Sequence, residues 1–135
     1  MKAEQSSLYR QLELLHLWCL DTFDNAPKGV MISRDIEKIV DAVTDAASTV
    51  AIALNTEEAG QRMDMLDIVV LRLTEFKFLT RGLTEFSSNM TRGKHVISKS
   101  QRVRMLDIMT QIGNELGRWC SATMKKRRRA AGLSE

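Results

Sequence analysis

Apolar residues recur three and four positions apart through most of this chain, and two polar stretches interrupt them. Leu8, Leu12, Leu15, Trp18, Cys19 and Thr22 fall on one face of a helix from about Ser7 to Phe23. Asp24-Asn25-Ala26-Pro27-Lys28-Gly29, with Pro and Gly in a polar cluster, ends it. A second helix starts near Ser33, a good N-cap, with Asp35 in the first turn where the dipole favours an anion. Its apolar face is Ile36, Ile39, Val40, Val43, Ala47, Val50, Ala51 and Leu54. Asn55-Thr56-Glu57-Glu58 reads as a short turn into a third helix that runs to about Phe86. Met63, Leu66, Val70, Leu73, Phe76, Leu79 and Leu83 make its stripe, and Gly82 weakens its last turns. Residues 87–97 form the second loop, and Ser98 or Ser100 caps the last helix. There Met105, Met109, Ile112, Leu116, Trp119 and Thr123 form a 3.5-residue seam of the kind that packs helices nearly antiparallel. Short connections between long helices predict an all-α protein, an up-down-up-down four-helix bundle over residues 1–124. A basic, disordered tail over residues 125–135 is expected to follow.

Composition supports this picture. Aromatic residues are scarce, Leu, Ile, Met and Ala are abundant, and there is a single proline, which favours helices. No apolar run approaches the ~20 residues of a membrane span. Met1-Lys2-Ala3-Glu4-Gln5 lacks the apolar stretch of a signal peptide, so a cytoplasmic location is expected. Cys19 and Cys120 sit within apolar stripes, which fits buried free thiols better than a disulfide.

The sequence holds little that suggests catalysis. His16 and His95 are the only histidines, and neither has a second His, Cys or carboxylate at metal-site spacing. No motif marks a Ser-His-Asp or Cys-His site, and there is no glycine-rich phosphate loop between a strand and a helix. Neither a cofactor nor a metal is therefore expected. Glu37, Asp41 and Asp45 stand four apart as an acidic stripe, either a solvated face or a contact for a basic neighbour.

Charge is the stronger signal. The net charge of +3 hides a polarity: residues 1–60 hold five Lys/Arg and ten Asp/Glu, whereas residues 61–135 hold fifteen and seven. Such polarity suits nucleic-acid binding, and equally self-association of an acidic face with a basic one. Lys77 and Arg81 lie one turn apart on the third helix. Arg92, Lys94, Lys99, Arg102 and Arg104 crowd the second loop and the start of the last helix, where the dipole is itself positive. Lys125, Lys126, Arg127, Arg128 and Arg129 extend the field at its end. With few aromatics to stack on bases, backbone and shape recognition of RNA or DNA is expected, not sequence reading. Gly113 and Gly117 are a second oddity, since an internal helix glycine costs roughly 1 kcal/mol against alanine. Two glycines a turn apart point to close helix approach, and Trp119 beside them is expected to be mostly buried.

These residues also suggest a family. Ile97-Ser98-Lys99-Ser100-Gln101 leads into Ile112-Gly113-x-x-Leu116-Gly117-x-Trp119, and upstream stands Phe76-Lys77-Phe78-Leu79-Thr80-Arg81. From about Leu8 to Met124 the chain resembles the accessory variability determinant (Avd) proteins of diversity-generating retroelements. Related four-helix proteins are encoded in intervening sequences of bacterial 23S ribosomal RNA genes. The resemblance implies a homopentameric barrel of bundles with a basic surface and a central channel. It further implies binding to the element's reverse transcriptase and to RNA or DNA, in support of mutagenic cDNA synthesis, by a protein that is not itself an enzyme. Lys77, Arg81, Gly113, Leu116, Gly117 and Trp119 are the positions carried over by motif. The chain departs from the pattern with Lys77 where Arg is common, a long loop from Ser87 to Val96, and Glu115 where an apolar residue is frequent. Two rival expectations stand beside this one. One is a structural oligomer of the ribosomal intervening-sequence group with no reverse transcriptase partner. The other is a helical enzyme built on unremarkable carboxylates.

Overall fold

A computed structural model describes residues 6–24, 26, 30–85 and 96–132. Its elements are α1 (Ser7–Phe23), α2 (Val30–Leu54), α3 (Ala59–Glu85) and α4 (Lys99–Ala130), with no strand among the described residues. Each helix packs on its neighbours in sequence, and α4 closes the ring against α1. The diagonal pairs α1–α3 and α2–α4 do not approach closely, which is the cross-section of a four-helix bundle. Directions alternate: the end of α1 meets the start of α4 at Trp18 and Gln101, and the end of α4 meets the start of α3 at Lys126 and Glu57.

The six α1 positions expected inside are all buried. Ser6 caps the helix through a 3.3 Å hydrogen bond from the Tyr9 amide. The start of α2 differs from expectation. It begins at Val30, which leaves Ser33 exposed within the first turns and not at the cap. Burial of Ile32 extends the apolar stripe one turn upstream, and that outweighs the capping preference of Ser33. Ala42, Ala46 and Ala53 are buried too. Such small side chains suit the α2–α3 pairing, the most extensive in the bundle.

On α3 the buried line is Leu66, Val69, Leu73, Phe76, Thr80 and Leu83. Val69 therefore replaces Val70, which is 45% exposed, and Leu79 is only partly buried. Thr80, a position that apolar counting passes over, joins this line: its hydroxyl donates to the Phe76 carbonyl at 2.9 Å, which satisfies it inside the core.

Ser98 caps α4 with a reciprocal box: the Gln101 amide donates to Ser98 Oγ at 3.2 Å, and the Ser98 amide donates to Gln101 Oε1 at 2.8 Å. Just before it, Val96 and Ile97, expected in a loop, are buried in the core. The α4 seam holds at Met105, Met109, Ile112, Leu116 and Thr123, joined by Ile108. Trp119 does not follow: it is only partly buried against the core. The helix continues to Ala130, so Lys125–Arg129 are helical, not a tail that begins at residue 125. Cys19 is buried and Cys120 half-buried, both as free thiols.

Candidate nucleic-acid interface

Helix α4 carries nine Lys/Arg and two Asp/Glu, and α1 and α2 together carry three and six. The charge polarity of the sequence thus becomes a polarity between sides of the bundle. The basic residues are nevertheless not one patch. At 1.5 Å per residue, Lys99 and Lys125 are roughly 39 Å apart along α4.

At the end where α4 starts, Lys99, Arg102 and Arg104 are exposed. Lys77 and Arg81, also exposed, lie on α3 toward the same end. Lys77 lines a cleft of about 230 Å³ between α3 and α4, with Val70, Thr74, Met109, Ile112 and Gly113. Arg102 lies on the Leu106–Gly113 row of α4 by its spacing, so it joins Lys77 and Arg81 on that side. Arg104 instead lines the cleft between α4 and α1, with Asp21 and Ser100. Arg92 and Lys94 lie outside the described residues.

At the other end the basic block folds back on the acidic turn. Lys126 Nζ donates to the Glu57 carbonyl at 2.8 Å. The Glu58 carboxyl is held below its ordinary range, first by the Gln61 and Gly60 amides that donate to it, and further by the Arg127 charge. Arg127, Arg128 and Arg129 also face the negative end of the α4 dipole, so they have a local structural reason to be there. Lys125 and Arg128 are exposed.

Asp45 of the acidic stripe on α2 has a basic neighbour on α3. Arg72 reaches Asp45 at 3.7 Å and Glu75 at 3.2 Å. Among the described residues no group of three or more His, Cys, Asp or Glu is arranged to hold a metal ion. No described helix is long and apolar enough to cross a membrane.

The glycine pair departs from expectation. A Cβ added at Gly113 or Gly117 would meet nothing within 4 Å, and both glycines are exposed. They do not mediate close helix approach inside one chain, because the α4 seam that faces the bundle passes through Ile112 and Leu116 instead. Sequence reading also passed over Arg62. Its Nε donates to the Ala53 carbonyl at 3.1 Å and its Nη2 to the Leu54 carbonyl at 3.5 Å, which caps the end of α2. The same guanidinium lies 5.4 Å from the Trp119 ring centroid. The available signal was an arginine in the first turn of α3, four residues past a short turn and within reach of open carbonyls. No family model matches the chain, and neither a curated protein nor a solved structure matches it either.

Proposed function

We propose that this protein is a non-enzymatic, oligomeric nucleic-acid-binding bundle, the accessory factor of a diversity-generating retroelement. In this reading it is a homopentamer that holds template RNA or cDNA and the reverse transcriptase during mutagenic retrohoming. One observation carries the nucleic-acid part: α4 displays nine cations against two anions, with exposed Lys77 and Arg81 toward its first turn. Exposed cations of this kind gain affinity from phosphate by releasing counterions, with no need for base contacts. The retroelement assignment is supported by the resemblance of Ile112-Gly113-x-x-Leu116-Gly117-x-Trp119 and of the Lys77/Arg81 pair.

The test is a titration of the full chain against one structured RNA at several salt concentrations, with copurification of a co-expressed reverse transcriptase from the same genome. Binding that weakens steeply with salt, together with copurification, is expected. Salt-dependent RNA binding without the polymerase would favour the ribosomal intervening-sequence reading. Absence of RNA binding at low salt would remove the nucleic-acid function.

A further inference from the structure

The cleft between α1 and α4 has a volume of about 380 Å³, and Leu14, Leu17, Trp18 and Ile108 supply its apolar walls. Small-molecule sites occupy roughly 300–1,000 Å³, so a compact ligand fits it. Of the polar residues that line it, Ser100 bonds Ser98 and Gln101 forms the α4 cap. The side chains of Asp21, Thr22 and Arg104 have no hydrogen-bond or ion-pair partner among the described residues.

Thr22 stands out among them, because it is only 6% exposed. Every other described threonine donates its hydroxyl to a carbonyl one turn back, as Thr80 does to Phe76 and Thr123 to Trp119. Thr22 makes no such bond to Trp18. No fully buried side-chain oxygen among the described residues lacks a partner, so this hydroxyl opens on the cleft that Thr22 lines. A buried hydroxyl left unbonded by its own helix is available to a ligand.

We propose that this cleft binds a small zwitterion with an apolar body, a free α-amino acid with a hydrophobic side chain. Charge selects the class. The Trp18–Gln101 hydrogen bond sets those two residues level. Asp21 lies three residues further along α1, and Arg104 three residues along α4 in the opposite direction, so their backbones are about 9 Å apart along the bundle. The two charges do not meet each other, and a ligand that carries both signs bridges them. Its ammonium group sits on Asp21 and the Thr22 hydroxyl. Its carboxylate takes the two-point contact that the Arg104 guanidinium offers. Its side chain lies on Leu17, Trp18 and Ile108. An anion alone would be repelled by Asp21 and a cation alone by Arg104. An uncharged solute would displace water from both charges without replacing it. The site is separate from Lys77 and Arg81 and does not rest on the nucleic-acid reading.

Equilibrium dialysis of the full chain against labelled L-leucine and L-phenylalanine tests this. At least one of them should bind saturably, one per chain, with a Kd of about 1 mM or tighter. The amide of that amino acid lacks the carboxylate, and its N-acetyl derivative lacks the ammonium group. Each should compete about tenfold less well, since each loses a charged hydrogen bond. Asp21→Asn and Arg104→Gln, both at exposed positions, should weaken binding by about the same factor, and Lys77→Gln should leave it unchanged. Circular dichroism checks that the variants fold, and the two derivatives decide the matter on the unmodified chain in any case. Failure of both amino acids to bind at millimolar concentration would overturn the proposal. So would derivatives that compete as well as the free amino acid, or a folded Asp21 or Arg104 variant that binds as the unmodified chain does.

Discussion

The dipeptide Trp-Cys occurs twice, at 18–19 near the end of α1 and at 119–120 in the second half of α4, and the two copies live in different surroundings. Trp18 is 6% exposed. It donates its indole N–H to the Gln101 carbonyl at 2.8 Å, and Phe23 and Phe76 pack edge-on to it at 5.8 and 6.1 Å. Trp119 is only partly buried and has the Arg62 guanidinium over its ring. Helix length explains the contrast. Trp18 fixes α1 against Gln101, so Ser7 falls eleven residues back, level with about Ile112 of the antiparallel α4. Trp119 therefore lies about 10 Å beyond the first turn of α1, where that helix no longer covers it. The seam itself runs on, since Thr123, one turn further along α4, is still buried.

The largest difference between the two ends should appear on truncation. Trp18→Ala is expected to cost about 3–5 kcal/mol, the range for a buried large aromatic, and Trp119→Ala about 1–2 kcal/mol. Chemical denaturation of both variants checks this, and equal losses would place Trp119 in the core. Thiol chemistry offers a sharper version. Burial pushes the Cys19 thiol up to about 12. The Cys120 thiol is raised less, first by partial burial and then by the Asp67 charge. Both raised values mean that thiolate, and so alkylation rate, grows as pH climbs through and beyond the ordinary value of 9.0. In the native chain Cys120 should react with iodoacetamide at least tenfold faster than Cys19. Peptide mapping of a time course decides it, and equal rates would mean that the Trp18 end opens as readily as the other.

Smaller effects test the exposed half of α4. Gly113→Ala and Gly117→Ala should each stabilise the monomer by up to about 1 kcal/mol, since neither Cβ meets a neighbour. A lowered melting temperature at high dilution would show that these positions need glycine within one chain. Across the same cleft, Lys77→Gln with Arg81→Gln should leave the fold intact, because both residues are exposed. If both contact single-stranded RNA, the log–log salt slope should flatten by about 1.4 units. Parallel salt slopes for the two proteins would move the contact to Lys99 and Arg102 or to the C-terminal block.

How much of this was legible depends on whether a residue's fate is decided locally. The α1 stripe was readable in full because periodicity alone selects Leu8 through Thr22. The Ser98 cap was readable because its partner Gln101 lies three residues on. Thr80 was not, because a buried hydroxyl satisfied by its own helix looks polar in sequence, and the adjacent Val69 and Val70 look alike to apolar counting. Ala42, Ala46 and Ala53 are buried, and a single methyl gives apolar counting little to separate them from Ala47 and Ala51. Trp119 was misread because its burial depends on the length of a different helix. The basic positions were visible from composition, but their division into two ends and two clefts depends on the antiparallel register. Arg62 joins three helices through carbonyls and a ring that no linear spacing connects.

The Trp18–Gln101 hydrogen bond joins residues 83 apart in sequence, whereas α2 and α3 are joined across the short turn 55–58. Closing a long loop costs more chain entropy than closing a short one, so folding has a built-in order. The α2–α3 hairpin is the natural nucleus, and docking of the first helix against the last is the late event. Stopped-flow refolding of a Trp119→Phe chain should show far-ultraviolet helical signal ahead of the Trp18 fluorescence change. Coincident signals would mean that α1 and α4 meet in the rate-limiting step, making the two terminal helices the nucleus and the central hairpin the follower.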